Sequence, residues 1–255
     1  MCKCKQKRSV RIILILFFLL ITTLLPKGGY AEMDAKAILT AADQARGNVA
    51  GIQWIIQLES TENGHTQSRT LQLKARGRNS LATFLAPARV KGRMLLMLAR
   101  NMWFVKPGLR KPVPISPRQK LSGGAANGDI ASTNYAGDYE AHYVSDDLSG
   151  GAECYLFNLL SNNRKATYDR IRYWISKDQN VGVKAEFYTV SGKLLKTALF
   201  EYDNILHTGA EERPFVSKMV ITDALIPENI TAMTYSDVLV KEIPDSAFNL
   251  NLLRR

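Results

Sequence analysis

The chain has 255 residues, and its 34 Lys and Arg against 23 Asp and Glu give a formal net charge of +11. Residues 1–31 hold six of the basic residues and no acidic ones, so the remainder carries 28 basic against 23 acidic side chains, a surplus of +5 that favours an anionic surface without arguing for nucleic acid. Three cysteines, two of them at positions 2 and 4, rule out a disulfide-stapled scaffold.

At the start, Lys3, Lys5, Lys7, Arg8 and Arg11 precede an apolar run from Ile12 to Leu25. That run is about 14 residues, shorter than the roughly 20 of a spanning helix. Pro26, Gly28 and Gly29 end it, and Gly29-Tyr30-Ala31 offers a small-residue cleavage site. This pattern predicts a signal peptide over 1–31, cleaved after Ala31, and one exported domain over 32–255. Neither Cys2 nor Cys4 follows the apolar run, where a lipid-modified cysteine would sit, and both leave with the leader. Cys154 then has no partner in the chain and reads as a small buried hydrophobe.

Met33 to Gly47 is the one clear N-terminal helix: Asp34 can cap it, alanines favour it and Gly47-Asn48 stops it. Beyond it the period is two. In Val49 to Leu58, Ile52, Trp54, Ile56 and Leu58 share one face while Gln53 and Gln57 take the other. Similar runs occupy 66–75, 79–86, 93–99, 102–106, 153–160, 168–175, 181–190, 194–204, 215–222 and 229–237. Lys106 to Gly137 reads as a long functional loop, with Ser122 to Asp129 as flexible glycine-rich turn. The fold class is therefore mainly β (α+β): about eleven antiparallel strands that must curl into a barrel or half-barrel, with the helix as a covering element.

Reactive chemistry is absent from the motifs. His65, His142 and His207 are far apart and show no metal-ligand spacing, and no nucleophile elbow or phosphate-binding loop is present. No enzyme activity, metal or cofactor is expected. Asp129, Asp138, Glu140, Asp146 and Asp147 match no calcium loop and read as solvated or capping residues. Arg110, Lys111, Arg118 and Lys120, interleaved with prolines, read as an extended solvated loop.

Asn101 to Pro112, Asn127-Gly128-Asp129, Asn134-Tyr135, Tyr173 to Lys177, Lys184 to Tyr188 and Ser191 to Thr197 together resemble the outer-membrane lipoprotein-sorting protein family. Where many members read G-S-D-F-x-Y-E-D, this chain has Asn127 to Tyr135 in a different order. The resemblance implies the architecture of the LolA and LolB carriers: a half-open antiparallel barrel around a hydrophobic cavity, with helices closing its mouth. It also implies a soluble periplasmic carrier or chaperone that binds lipoprotein acyl chains or another lipid and transfers them toward the outer membrane. An inner-membrane transporter as donor and an outer-membrane acceptor would be its partners, and it would act as a monomer. The alternative is a non-catalytic accessory or interaction subunit of an envelope lipid transporter.

For the apolar lining, large flexible or aromatic strand residues are the candidates: Trp54, Phe84, Met94, Trp103, Phe187, Phe200, Met219 and Met233, with Ile38 and Leu39 on the covering helix. Period two shows which neighbours share a face but not which face is concave.

Overall fold

A computed structural model describes residues 33–209 and 211–254, and residues from Ala35 onward gather into one unit. The expected leader and cleavage site lie outside the described residues. Helix α1 (Ala35–Gln44) leads into β1 (Ile52–Glu62), β2 (His65–Arg76), β3 (Asn79–Ala86), β4 (Met94–Leu98), β5 (Asn101–Val105) and β6 (Val113–Ile115). Two short strands, β7 (Lys120–Ser122) and β8 (Ala125–Ala126), precede the one-turn helix α2 (Tyr135–Asp138). Then come β9 (Tyr139–Ser149), β10 (Ala152–Ser161), β11 (Arg170–Ser176), β12 (Gly182–Tyr188) and β13 (Leu194–Glu201). The hairpin β14 (Asn204–Thr208) and β15 (Glu211–Phe215) is followed by β16 (Lys218–Asp223) and β17 (Ile230–Val240).

Thirteen strands form one antiparallel sheet in the order β6-β5-β4-β3-β2-β1-β17-β16-β13-β12-β11-β10-β9, not closed on itself. All eleven runs read from the sequence fall on strands of this sheet. The first and last strands, β1 and β17, pair in the middle and join an N-terminal meander to a C-terminal one. Asn63-Gly64 turns β1 into β2 with φ of +50° and +77°, the left-handed pair that a two-residue hairpin needs.

The register fixes the faces. Trp54, Ile56 and Leu58 of β1 stand opposite Leu73, Leu71 and Arg69 of β2 and opposite Tyr235 and Met233 of β17. Met233 faces Met219, Phe200 faces Met219 in turn, and Ala198 faces Ala185 across β12. These side chains form the concave face, and nearly all are buried. The opposite face of β3 and β4 carries Leu81 and Leu96, covered by Ile243 and Phe248 of the C-terminal segment.

The chain leaves β6 at one sheet edge and re-enters at β9 on the other. Residues 116–134 must therefore cross the open side of the sheet, and they pack into it as a plug. Ser122, Ala125, Ala126, Asn127, Asp129, Ile130 and Ala131 are buried, so the glycine-rich turn is not the flexible loop that its composition suggests. Glycine serves close approach here: a Cβ on Gly123 would lie 2.2 Å from Thr231 Oγ1 and 2.5 Å from Ser60 Cβ. The Gly124 N–H donates to Thr231 Oγ1 at 2.8 Å, and the Ser60 and Ser122 hydroxyls lie 3.0 Å apart.

At the centre of the plug Asp129, read from the sequence as solvated or capping, is buried. It receives hydrogen bonds from Lys196 Nζ at 2.8 Å, Tyr168 Oη at 2.7 Å and the Ala126 N–H at 2.8 Å. Lys196 Nζ also donates to the Gly124 carbonyl at 2.5 Å. Arg118 closes the far end with a bidentate pair to Asp169 at 2.7 and 2.9 Å, and that hydrogen bonding raises its pKa. Lys120 pairs with Glu62, so two members of the basic string are engaged rather than free in solvent.

Removing one partner of a buried ion pair leaves an uncompensated charge. Lys196→Met is therefore expected to cost about 3–5 kcal/mol in urea unfolding and to speed amide exchange at Ala125 to Ile130 first. Unchanged stability and exchange would show that the pair does not hold the plug.

Candidate functional site

The concave face is filled at its centre and open at one end. Trp54 stacks edge-on against Phe215 with ring centroids 5.8 Å apart, and Phe187 lies 4.1 Å from the Tyr168 ring. Phe200 lies beneath the buried Arg46 guanidinium at 4.6 Å, and Met219 Sδ accepts a weak contact from Arg46 Nη2 at 4.0 Å. With Met233, these make five of the eight lining candidates into close-packed interior. Leu39 of α1 is buried, while Ile38 is half-buried.

Phe84 borders open space on the concave face, and Trp103 borders a separate space on the other side of β5. Phe84 sits 4% exposed at the base of a cleft of about 430 Å³ between strands β2 to β6 and the first half of the plug. Leu95, Phe104 and Ile115 continue the strand wall, and Val90 and Leu121 close it from the turn before β4 and from the plug. Leu95 pairs directly with Phe104 in register, which stacks their side chains along the same face. Arg69, Arg93 and Lys120 reach the same cleft and give its apolar wall a basic edge.

Met94 and Trp103, also expected in the lining, belong to the other face. Trp103 stands opposite Leu96 in register, and Met94 packs with Leu81, Leu96 and the C-terminal Ile243 and Phe248. The cause is legible in β4: Met94-Leu95-Leu96-Met97-Leu98 is apolar at every position, so no alternation marks its inner face. The same pattern hides Leu95 and Phe104, and Ile115 falls in the segment whose proline-rich composition reads as loop rather than strand. The signal that places them is the pairing with Phe84's face through Ala82 and Leu95.

The elements around the concave face are tied by buried polar contacts. Asp43 at the end of α1 accepts the backbone N–H groups of Tyr135 at 2.9 Å and Ala136 at 2.8 Å, which docks α2 on α1. Burial is the largest influence on this carboxyl and pushes it from 3.8 up to about 7, against the two N–H bonds and Arg46. Arg46 Nη1 and Tyr173 Oη have no hydrogen-bond partner among the described residues, and the guanidinium charge is instead faced by the Phe200 and Tyr135 rings. The thiol of Cys154 is buried on the outer face with Leu156 and Trp174, and burial raises its pKa. The three histidines are exposed and separate, and among the described residues no group of three or more His, Cys, Asp or Glu side chains is placed to hold a metal.

The sign of the Asp43 effect follows from its raised pKa. The folded carboxyl keeps its proton up to about 7 and the unfolded one loses it near 3.8, so its stabilising contribution is complete below the lower value and is lost as pH rises through the upper one. Urea unfolding is expected to show the wild type losing stability relative to Asp43→Asn between about pH 4 and about pH 7. A difference independent of pH would contradict this.

The comparisons with known proteins agree with this geometry. A family model described as an uncharacterized protein matches residues 76–255, and no curated protein matches. Among solved structures, a LolA superfamily protein from Nitrosomonas europaea is 31% identical, with a TM-score of 0.75 over 84% of this chain and 97% of that one. A domain from Vibrio parahaemolyticus described as a "putative outer membrane lipoprotein-sorting protein domain" is 21% identical, with a TM-score of 0.73 over 86% of this chain and 98% of that one. A DUF1329 family protein from Desulfovibrio piger, 17% identical with a TM-score of 0.71 over 86% and 97%, shares the fold. With its fold and nearly a third of its residues shared with a member along most of both chains, the chain belongs to the LolA superfamily.

Proposed function

We propose that this protein is a periplasmic lipid carrier that holds one acyl chain, of a lipoprotein or another lipid, in the cleft between β2 to β6 and the plug. The observation that carries the reading is a cleft with an apolar strand wall and a polar, basic edge at one end of an otherwise filled concave face. Its volume of about 430 Å³ falls in the range of roughly 300–1,000 Å³ common to small-ligand pockets. At roughly 30 Å³ per small group, the share of a liquid water molecule, it takes on the order of fourteen groups, one fatty-acyl chain.

Each methylene removed from water contributes about 0.8 kcal/mol, so a fully enclosed chain would gain on the order of 10 kcal/mol. The cleft leaves part of its ligand in contact with solvent, which keeps binding reversible and lets a membrane or acceptor compete for the chain. A wall formed by the plug also gives a way to enlarge the space, since residues 119–121 and 127 line the cleft and belong to a segment held by a few polar ties. Export through the predicted leader, an inner-membrane donor and an outer-membrane acceptor complete the reading, which requires no catalytic group.

The packed centre favours a second reading, in which the protein is an accessory subunit of an envelope lipid transporter and carries nothing itself. Native mass spectrometry of gently extracted protein separates the two. The carrier is expected to retain lipid, and Phe104→Glu, which puts a charge on a half-buried cleft wall, is expected to weaken its acyl binding at least about tenfold with little change in thermal stability. Lipid-free wild type, or a variant that binds as well as wild type, would contradict the carrier reading.

A further inference from the structure

Resting on the cleft as the acyl site, we infer that its ligand is an anionic amphiphile whose phosphate or carboxylate headgroup is received by Arg69, Arg89 and Arg93. Arg69 and Arg93 both border the cleft, whose floor is Phe84 and Leu95. The Phe84 N–H donates to the Arg93 carbonyl at 2.9 Å, so the main chain that carries this arginine is fixed beside the apolar wall. Arg89 belongs to a short 3-10 turn, Ala88–Val90, and Arg93 Nη2 donates to the Arg89 carbonyl at 3.0 Å.

The three guanidinium groups are gathered without countercharge. Lys120 at the same cleft has Glu62, but among the described residues no carboxylate pairs with Arg69, Arg89 or Arg93. Arg69 is half-buried and its Nη1 donates to the Leu121 carbonyl at 2.8 Å. Burial first, and then the charges of Arg89 and Arg93, lower its pKa from the usual arginine value. A cluster that repels itself beside an apolar cleft is relieved by a bound anion, and a guanidinium presents forked donors that fit phosphate or carboxylate oxygens. The tail then lies against Phe84, Leu95 and Phe104, and the headgroup meets the arginines at the mouth.

The test uses the purified full chain and three probes: a fluorescent lysophosphatidylglycerol, a monoacylglycerol with the same chain and label, and inorganic phosphate. The anionic lipid is expected to bind about tenfold more tightly than the uncharged one, the scale of a hydrogen bond to a charged group. That preference is expected to shrink with added salt and to be largely lost in Arg93→Gln and Arg89→Gln, whose side chains are not in the packed interior. Millimolar inorganic phosphate is expected to displace neither lipid. Equal binding of the two lipids, unaffected by either substitution, overturns the headgroup assignment and leaves the acyl site standing. Failure of both lipids to bind overturns both, and displacement of the anionic lipid by inorganic phosphate assigns the arginines to free phosphate and overturns the amphiphile.

Discussion

An open sheet whose connected edges lie at opposite ends imposes one constraint on this molecule: the chain between β6 and β9 must cross the concave face. Everything at the site follows from that crossing. A crossing segment brings backbone N–H and C=O groups into an apolar interior, where each needs a partner. Thr231 receives the Gly124 N–H, Lys196 binds the Gly124 carbonyl, and Asp129 receives the Ala126 N–H. A lysine and an aspartate are thus buried because the plug requires both an acceptor and a donor there, and each neutralises the other.

The plug divides the concave face. On the side of β1 and β9 to β17, Trp54, Phe157, Tyr173, Phe187 and Phe215 are buried and fill the interior. On the β2 to β6 side the first half of the plug stands off from the sheet and leaves the cleft. The filled half supplies stability that the open half cannot, and it is the open half that the proposed carrier function would use. The basic edge of the cleft belongs to the same division, since Arg69 is the β2 residue that meets the plug at Leu121.

Strand positions were legible because most carry a clear period of two, as in Ile52 to Leu58. The strands the sequence hid lack it. In β9, Glu140, His142, Asp146 and Asp147 make an exposed edge strand look like loop, and β7 and β8 together hold only a few residues of small side chains. Among the lining candidates, Phe84 lies on the concave face while Met94 and Trp103 lie on the other, and β3, β4 and β5 carry apolar residues on both faces, so their pattern does not mark the inner one. The plug was misread for a different reason. Ser122 to Asp129 has the composition of a mobile turn, and only the partners Thr231, Ser60 and Lys196, distant in sequence, show that its glycines permit contact rather than motion.

The central claim is that a hydrocarbon chain occupies the space bounded by Phe84, Leu95 and Phe104. It is tested most directly by paramagnetic broadening of the protein's NMR signals on titration with a fatty acid that carries a nitroxide near the end of its tail. The account predicts broadening centred on those three residues and Leu121, while Leu156 and Trp174 on the outer face stay sharp. Broadening centred elsewhere, or none at concentrations that saturate binding, would contradict it.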